Sequence, residues 1–241
     1  MREFTFRFEY EAGADPVTDV FIDHPNLRSR SVESCVSEDG FWRVERLTGP
    51  TNALDRLAEV RSEKALVGES ITETDCAGTR YRDVLDRTSE ERVVYTYATD
   101  VGGCESVHTL AGRYLPPGFV AQTLRRDHRH EWRLLVRSDE KIGLLYDALG
   151  AKHRGDLSFR VGHLRDATGW RPFPVCGVSL SAAQRSALEA AVEYGYYEVP
   201  RSITLEELAT ALDVPRSTLS YRLRRAESRL AQASVFPSEE R

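Results

Sequence analysis

Five arginines and a single glutamate fall between Val214 and Leu230: Arg216, Arg222, Arg224, Arg225 and Arg229 against Glu227. The whole chain carries a formal net charge of −5. A local cationic surface on an acidic chain marks where phosphates would be neutralised. Among the arginines stand Ser217, Thr218, Ser220 and Tyr221, whose hydroxyls suit base edges and phosphate oxygens. The chemistry is recognition of double-stranded DNA rather than bond making. Arg216, Ser217, Ser220, Tyr221 and Arg224 project from the first turns of a helix and are the base-edge candidates. Thr218, Arg222 and Arg225 are better placed for phosphates, and so is Arg201 at the start of the preceding helix. The alternative is a solvated helix face packed on another protein.

Three helix patterns hold these side chains. Thr204 stands three residues before Glu207, the spacing of a capping box. Leu205, Leu208, Ala209 and Leu212 then recur on one helical face. Small Ala209 lets the next helix cross closely. Asp213-Val214-Pro215 makes a tight turn, and Pro215 suits the start of the third helix. That helix is predicted from about Arg216 to Ala233, with Leu219, Leu223, Ala226 and Leu230 on its inner stripe. Upstream, Gly195 can take the left-handed conformation that stops the first helix after Val192 or Tyr194. Tyr196 and Tyr197 are expected to supply ring area to the small core.

The segment resembles the DNA-binding domain of the haloarchaeal bacterio-opsin activator family. The likeness rests on Leu180-Ser181 with Gln184, on Gly195-Tyr196-Tyr197-Glu198-Val199-Pro200-Arg201, and on Leu205 with Leu208-Ala209 and Leu212. It continues through Leu223-Arg224-Arg225-Ala226-Glu227 to Leu230. The heptapeptide from Gly195 is its most specific part. The third helix also looks like the recognition helix of sigma-factor region 4. The resemblance implies a helix-turn-helix regulator, not control of bacterio-opsin.

The rest of the chain is less specific. Its 241 residues are 41% hydrophobic and 29% charged, the composition of a folded protein with room for more than one domain. No stretch approaches the roughly 20 apolar residues needed to cross a bilayer. The start alternates charged and apolar residues, so a cytoplasmic protein is expected. Cys35, Cys76, Cys104 and Cys176 show no C-x-x-C pairing and are expected as free thiols. In His128-Arg129-His130, strand alternation would put both imidazoles on one face, but Asp127 and Glu131 would point away. No metal or cofactor is therefore expected. No nucleophile elbow, phosphate loop or paired carboxylates appear, so an enzyme is not expected.

Before residue 175 the chain reads as alternating strands and helices. Phe4, Phe6 and Phe8 have period two, and Val93 to Ala98 reads as a strand. Residues 89–169 run β-α-β-β-α-β, the order of a ferredoxin-like module. Residues 1–88 could hold a degenerate copy, with a poor first helix at Pro16 to Ile22. The expected fold is α+β: a ferredoxin-like region, possibly tandem, then a stiff linker over 170–179 and an all-α helix-turn-helix domain over 180–235. A single helix-turn-helix reads few base pairs, so a homodimer is expected. The N-terminal region would sense a small-molecule effector or dimerise. The competing reading is an adaptor whose C-terminal helices dock on another protein such as the transcription machinery.

Overall fold

A computed structural model describes residues 1–241 apart from 35, 38–39, 64–68, 75, 102, 104, 169–179 and 236–241. The expected linker and frayed C-terminal tail thus lie largely outside the described residues. The chain divides into two compact units, Met1–Val175 and Cys176–Arg241. The class is α+β.

The first unit contains β1 (Arg2–Tyr10), α1 (Pro16–Asp23), β2 (Arg28–Ser34), β3 (Gly40–Thr48), α2 (Thr51–Glu63) and β4 (Thr79–Arg87). It continues with β5 (Glu91–Thr99), α3 (Val107–Tyr114), β6 (Val120–Arg126), β7 (Arg129–Val136), α4 (Ile142–Lys152) and β8 (Leu157–Asp166). The eight strands form one sheet in the order β4-β5-β3-β2-β6-β7-β1-β8. Every neighbouring pair is antiparallel. The first strand of the chain therefore lies between its last two, while β5 lies between β3 and β4.

Local signals explain the helices. Asp15 caps α1: its carboxylate accepts from the N–H groups of Val17 and Thr18, and Pro16 opens the first turn. The helix expected to be poor is thus well specified by its cap. Ser106 and Thr109 form a reciprocal capping box on α3. Phe4, Phe6, Phe8 and Tyr10 of β1 pack with Val107, Leu110 and Ala111 of α3 and Ile142, Leu145 and Leu149 of α4. A second cluster joins Val17, Val20 and Phe21 of α1 to Leu54, Leu57 and Val60 of α2, over Leu47 and Val94. Phe41 belongs to the first cluster and Leu47 to the second. They stand six residues apart on β3, so both clusters lie on the same face of the sheet.

Between the clusters runs a buried polar seam. Arg43 donates from Nε to Glu33 at 2.6 Å and bidentately to Glu69 at 2.8 and 3.1 Å. Arg61 of α2 grips Glu45 at 2.6 and 3.0 Å, and Ser29 donates to the same carboxylate at 2.6 Å. His108 of α3 stacks on Phe41 at 3.8 Å and hydrogen bonds Glu33. Charges buried this deeply need such partners. Burial alone would raise the Glu33 carboxyl; Arg43 and His108 hold it down at about 2.

Two expectations change here. Cys76 is disulfide-bonded, so the cysteines are not all free thiols; distance along the chain does not prevent pairing once folding brings residues together. His128 and His130 do not share a strand face. Asp127 adopts a φ of 47° and His128 occupies the exposed hairpin turn, outside β7. His130 points inward, against Trp132 and Arg125. Among the described residues, no group of three or more His, Cys, Asp or Glu could hold a metal ion, and no helix is long and apolar enough to cross a membrane.

Candidate nucleic-acid interface

The second unit is built from α5 (Ala182–Glu193), α6 (Leu205–Ala211) and α7 (Arg216–Val235). Ser181 and Gln184 form a capping box at the start of α5, and Thr204 and Glu207 form one on α6. The core is Ala187 and Ala191 of α5, Leu208 and Ala209 of α6, and Leu219 and Leu223 of α7. Its small residues bring the helices close, as the alanine at 209 suggests.

Both helix ends use the same turn. Gly195 has a φ of 74°; its N–H bonds the Val192 carbonyl at 3.1 Å, and the Tyr196 N–H bonds Ala191 at 2.8 Å. Asp213 has a φ of 52°; its N–H bonds Thr210 at 3.1 Å, and the Val214 N–H bonds Ala209 at 3.1 Å. These are Schellman motifs. The second sets the angle between α6 and α7.

Helical geometry sorts the predicted contact residues. Leu219, Leu223 and Ala226 are buried. Leu230 is 37% exposed, so the inner stripe thins one turn earlier than expected, where the neighbouring helices no longer cover α7. At 100° per residue, Ser217, Tyr221 and Arg224 stand opposite the buried stripe. All three are exposed, Tyr221 by 64%. Arg225 is also exposed and lies beside them. Arg216 and Ser220 take one flank, while Thr218 and Arg222, half-buried, take the other. The α7 candidates thus adjoin one another, exposed at the centre and half-buried along the Thr218–Arg222 flank.

Three contacts were not legible in the sequence. Arg216 pairs through Nε with Glu206 of α6 at 2.5 Å. Both groups are well exposed, so water screens the pair and a phosphate can replace the carboxylate at small cost. The Arg201 guanidinium lies 4.6 Å from the centroid of the Tyr196 ring, a cation–π contact that orients it. Tyr197 donates to Glu227 at 2.5 Å, tying the loop after α5 to α7. Burial, then this hydrogen bond, raises the Tyr197 hydroxyl well above its ordinary value. Tyr196 packs against the core as expected, but Tyr197 is 40% exposed and serves mainly as a polar tie. The i, i+30 spacing of Tyr197 and Glu227 offers no sequence signal.

Comparison with known proteins agrees with this geometry. Residues 180–232 match the HTH DNA binding domain of the bacterio-opsin activator type. The chain is 52% identical over 61 residues to the dimethyl sulfoxide reductase transcriptional activator of Haloferax volcanii, over 25% of this chain and 28% of that protein. It is 43% identical over 61 residues to the protein of the same description from Halobacterium salinarum, over 25% and 27%. It is 49% identical over 51 residues to the transcriptional regulator NarO of Haloferax volcanii, over 21% and 24%. The chain thus aligns with only about a quarter of each relative's length. Residues 3–170 match the N-terminal domain model of the HVO_2928_N family. With most of its length covered by that domain, and an HTH DNA binding domain following it, the chain belongs to the HVO_2928_N family.

Proposed function

We propose that this protein is a sequence-specific, DNA-binding transcription regulator that enters the major groove with α7. The observation that carries this reading is the outward face of α7, where Ser217, Tyr221, Arg224 and Arg225 are all exposed on a helix whose opposite stripe is buried. Arg216, Ser217, Ser220, Tyr221 and Arg224 read base edges; Arg201, Thr218, Arg222 and Arg225 hold phosphates. The names of the relatives, which are transcriptional activators and regulators, support the same class.

The N-terminal unit serves sensing or dimerisation. We read it as two ferredoxin-like modules, residues 1–88 and 89–169, that have exchanged their first strands. The strand order supports this: in a split βαβ module the first strand sits between the third and fourth, and here β5 sits between β3 and β4 while β1 sits between β7 and β8. A homodimer on a two-fold related site follows from the few base pairs that one such domain reads. Tyr81 and Tyr97, 61% and 42% exposed and stacked at 6.3 Å, supply an aromatic dimer surface on β4 and β5.

The test is genome-wide binding of the tagged protein, repeated with Arg222, Arg224 and Arg225 changed to alanine, alongside duplex titrations at several salt concentrations. A regulator gives discrete sites that vanish in the variant, and an affinity that falls with salt by a slope of about 0.9 per phosphate contacted. Sites that persist in the variant, with no salt-dependent duplex binding in vitro, would favour an adaptor instead.

A further inference from the structure

The sheet face opposite the four helices holds a cavity of about 510 Å³ at β1, β6, β7 and β8. That volume suits a small molecule. Its lining is cationic: Arg7, Arg126, Arg129, Arg133, Arg160 and Arg165 stand against Glu3 and Glu131, with Glu9 beside Arg7 and Arg129. Strand alternation explains part of the gathering, since Arg7 lies between buried Phe6 and Phe8 and Arg133 between buried Trp132 and Leu134.

The wall is built rather than incidental. The β1–β8 register shifts between Phe4 and Phe6, a bulge of the kind that re-aims side chains. There the His163 N–H donates to the Thr5 hydroxyl at 2.9 Å. A Cβ at Gly162 would collide with that same hydroxyl and displace it. The bulge brings His163 Nε2 within 2.8 Å of Glu3. Glu3, almost fully buried, also accepts from Arg133 at 2.7 Å and Arg165 at 3.0 Å. Burial would raise its carboxyl, but these partners hold it at about 2, so it stays ionised and fixes the arginines around it.

At the floor is Gln122. It is fully buried, and neither its amide nitrogen nor its amide oxygen has a hydrogen-bond partner. A buried amide left without partners destabilises the fold unless something supplies them. Aliphatic side chains would fill the position better if packing were its only role.

We propose that this cavity binds a small molecule carrying two or more carboxylate or phosphate groups, its oxyanions on the arginines and a polar atom on the Gln122 amide. The long arginine side chains swing onto the ligand and open the way to the amide. A DNA duplex is too broad to reach that floor. The site is independent of DNA binding by α7, and its test uses no DNA.

The full-length protein is titrated calorimetrically with citrate and, separately, with pyrophosphate at low ionic strength. Saturable binding of one equivalent of either probe is expected, and the preferred probe identifies carboxylate or phosphate as the source. Gln122→Leu should weaken that binding tenfold or more while raising the melting temperature, because the unpartnered amide is gone. Arg160→Ala, a substitution at an exposed position, should weaken binding similarly without unfolding the chain, and it carries the test if the leucine variant fails to fold. Binding of neither probe would overturn the proposal. So would binding unchanged in the folded variants.

Discussion

Gly195 and Asp213 occupy equivalent positions in two copies of one turn, and substitution should move them in opposite directions. At Gly195 an added Cβ would meet the Cβ of Ser202 at 2.8 Å, and the φ of 74° disfavours any side chain. Gly195→Ala should therefore lower the stability of the C-terminal unit by at least about 1 kcal/mol in thermal melts. Asp213 already bears the strain of a left-handed backbone, with a φ of 52°. Asp213→Gly should relieve about 1–2 kcal/mol of left-handed strain, less about 0.4–1 kcal/mol for the added freedom of glycine in the unfolded chain, a small net gain. Equal signs for the two would show that the turns differ energetically. On α7 the contrast is between Arg224, opposite the buried stripe, and Arg229, on the flank and more than three turns from the helix start. Arg224→Ala should cost about 1–3 kcal/mol of specific affinity and relax specificity, while Arg229→Ala weakens all sequences alike. Equal, sequence-dependent losses in mobility-shift titrations would refute that ordering.

Among the elements, those with local signals were readable and those made by distant partners were not. The capping boxes at Ser181 and Thr204 write α5 and α6 into the sequence. The outward residues of α7 were legible because one helix carries them at fixed spacing. The pocket arginines were not, because they come from four strands. β8 runs on to Asp166 although its outer residues are exposed; it is held by pairing with β1. The polar seam was equally hidden: Glu33, Arg43, Glu69 and His108 meet only after folding. It predicts an acid response. Burial and the neighbouring Arg125 charge lower the His130 imidazole well below 6.5, so the folded protein keeps it neutral. Below that pH the unfolded chain takes up the proton and stability falls. Glu33, held at about 2 against an ordinary 4.5, adds a second loss as pH falls from 4.5 toward 2. Each group contributes about 1.4 kcal/mol per pH unit within its window. Urea midpoints followed by tryptophan fluorescence from pH 8 to 3 should show both limbs. His130→Phe should abolish the first and leave the second; a first limb unchanged in that variant would place the titrating group elsewhere.

For the whole molecule, the central expectation is two copies on one operator. Light scattering should give twice the mass of the 241-residue chain, free or with DNA, and the paired substitution Tyr81→Glu with Tyr97→Glu should halve it. A monomer under both conditions would remove the two-fold site. The position of β1 between β7 and β8 has a further consequence, for biosynthesis. Translation delivers Arg2–Tyr10 long before its two partners, Arg129–Val136 and Leu157–Asp166. At ~5–20 residues per second the ribosome-bound chain carries Phe4, Phe6 and Phe8 unpaired for roughly 8–30 s. Nascent chains stalled before residue 129 should accordingly be protease-sensitive in Arg2–Tyr10 and bind chaperones there, and release past residue 166 should end both.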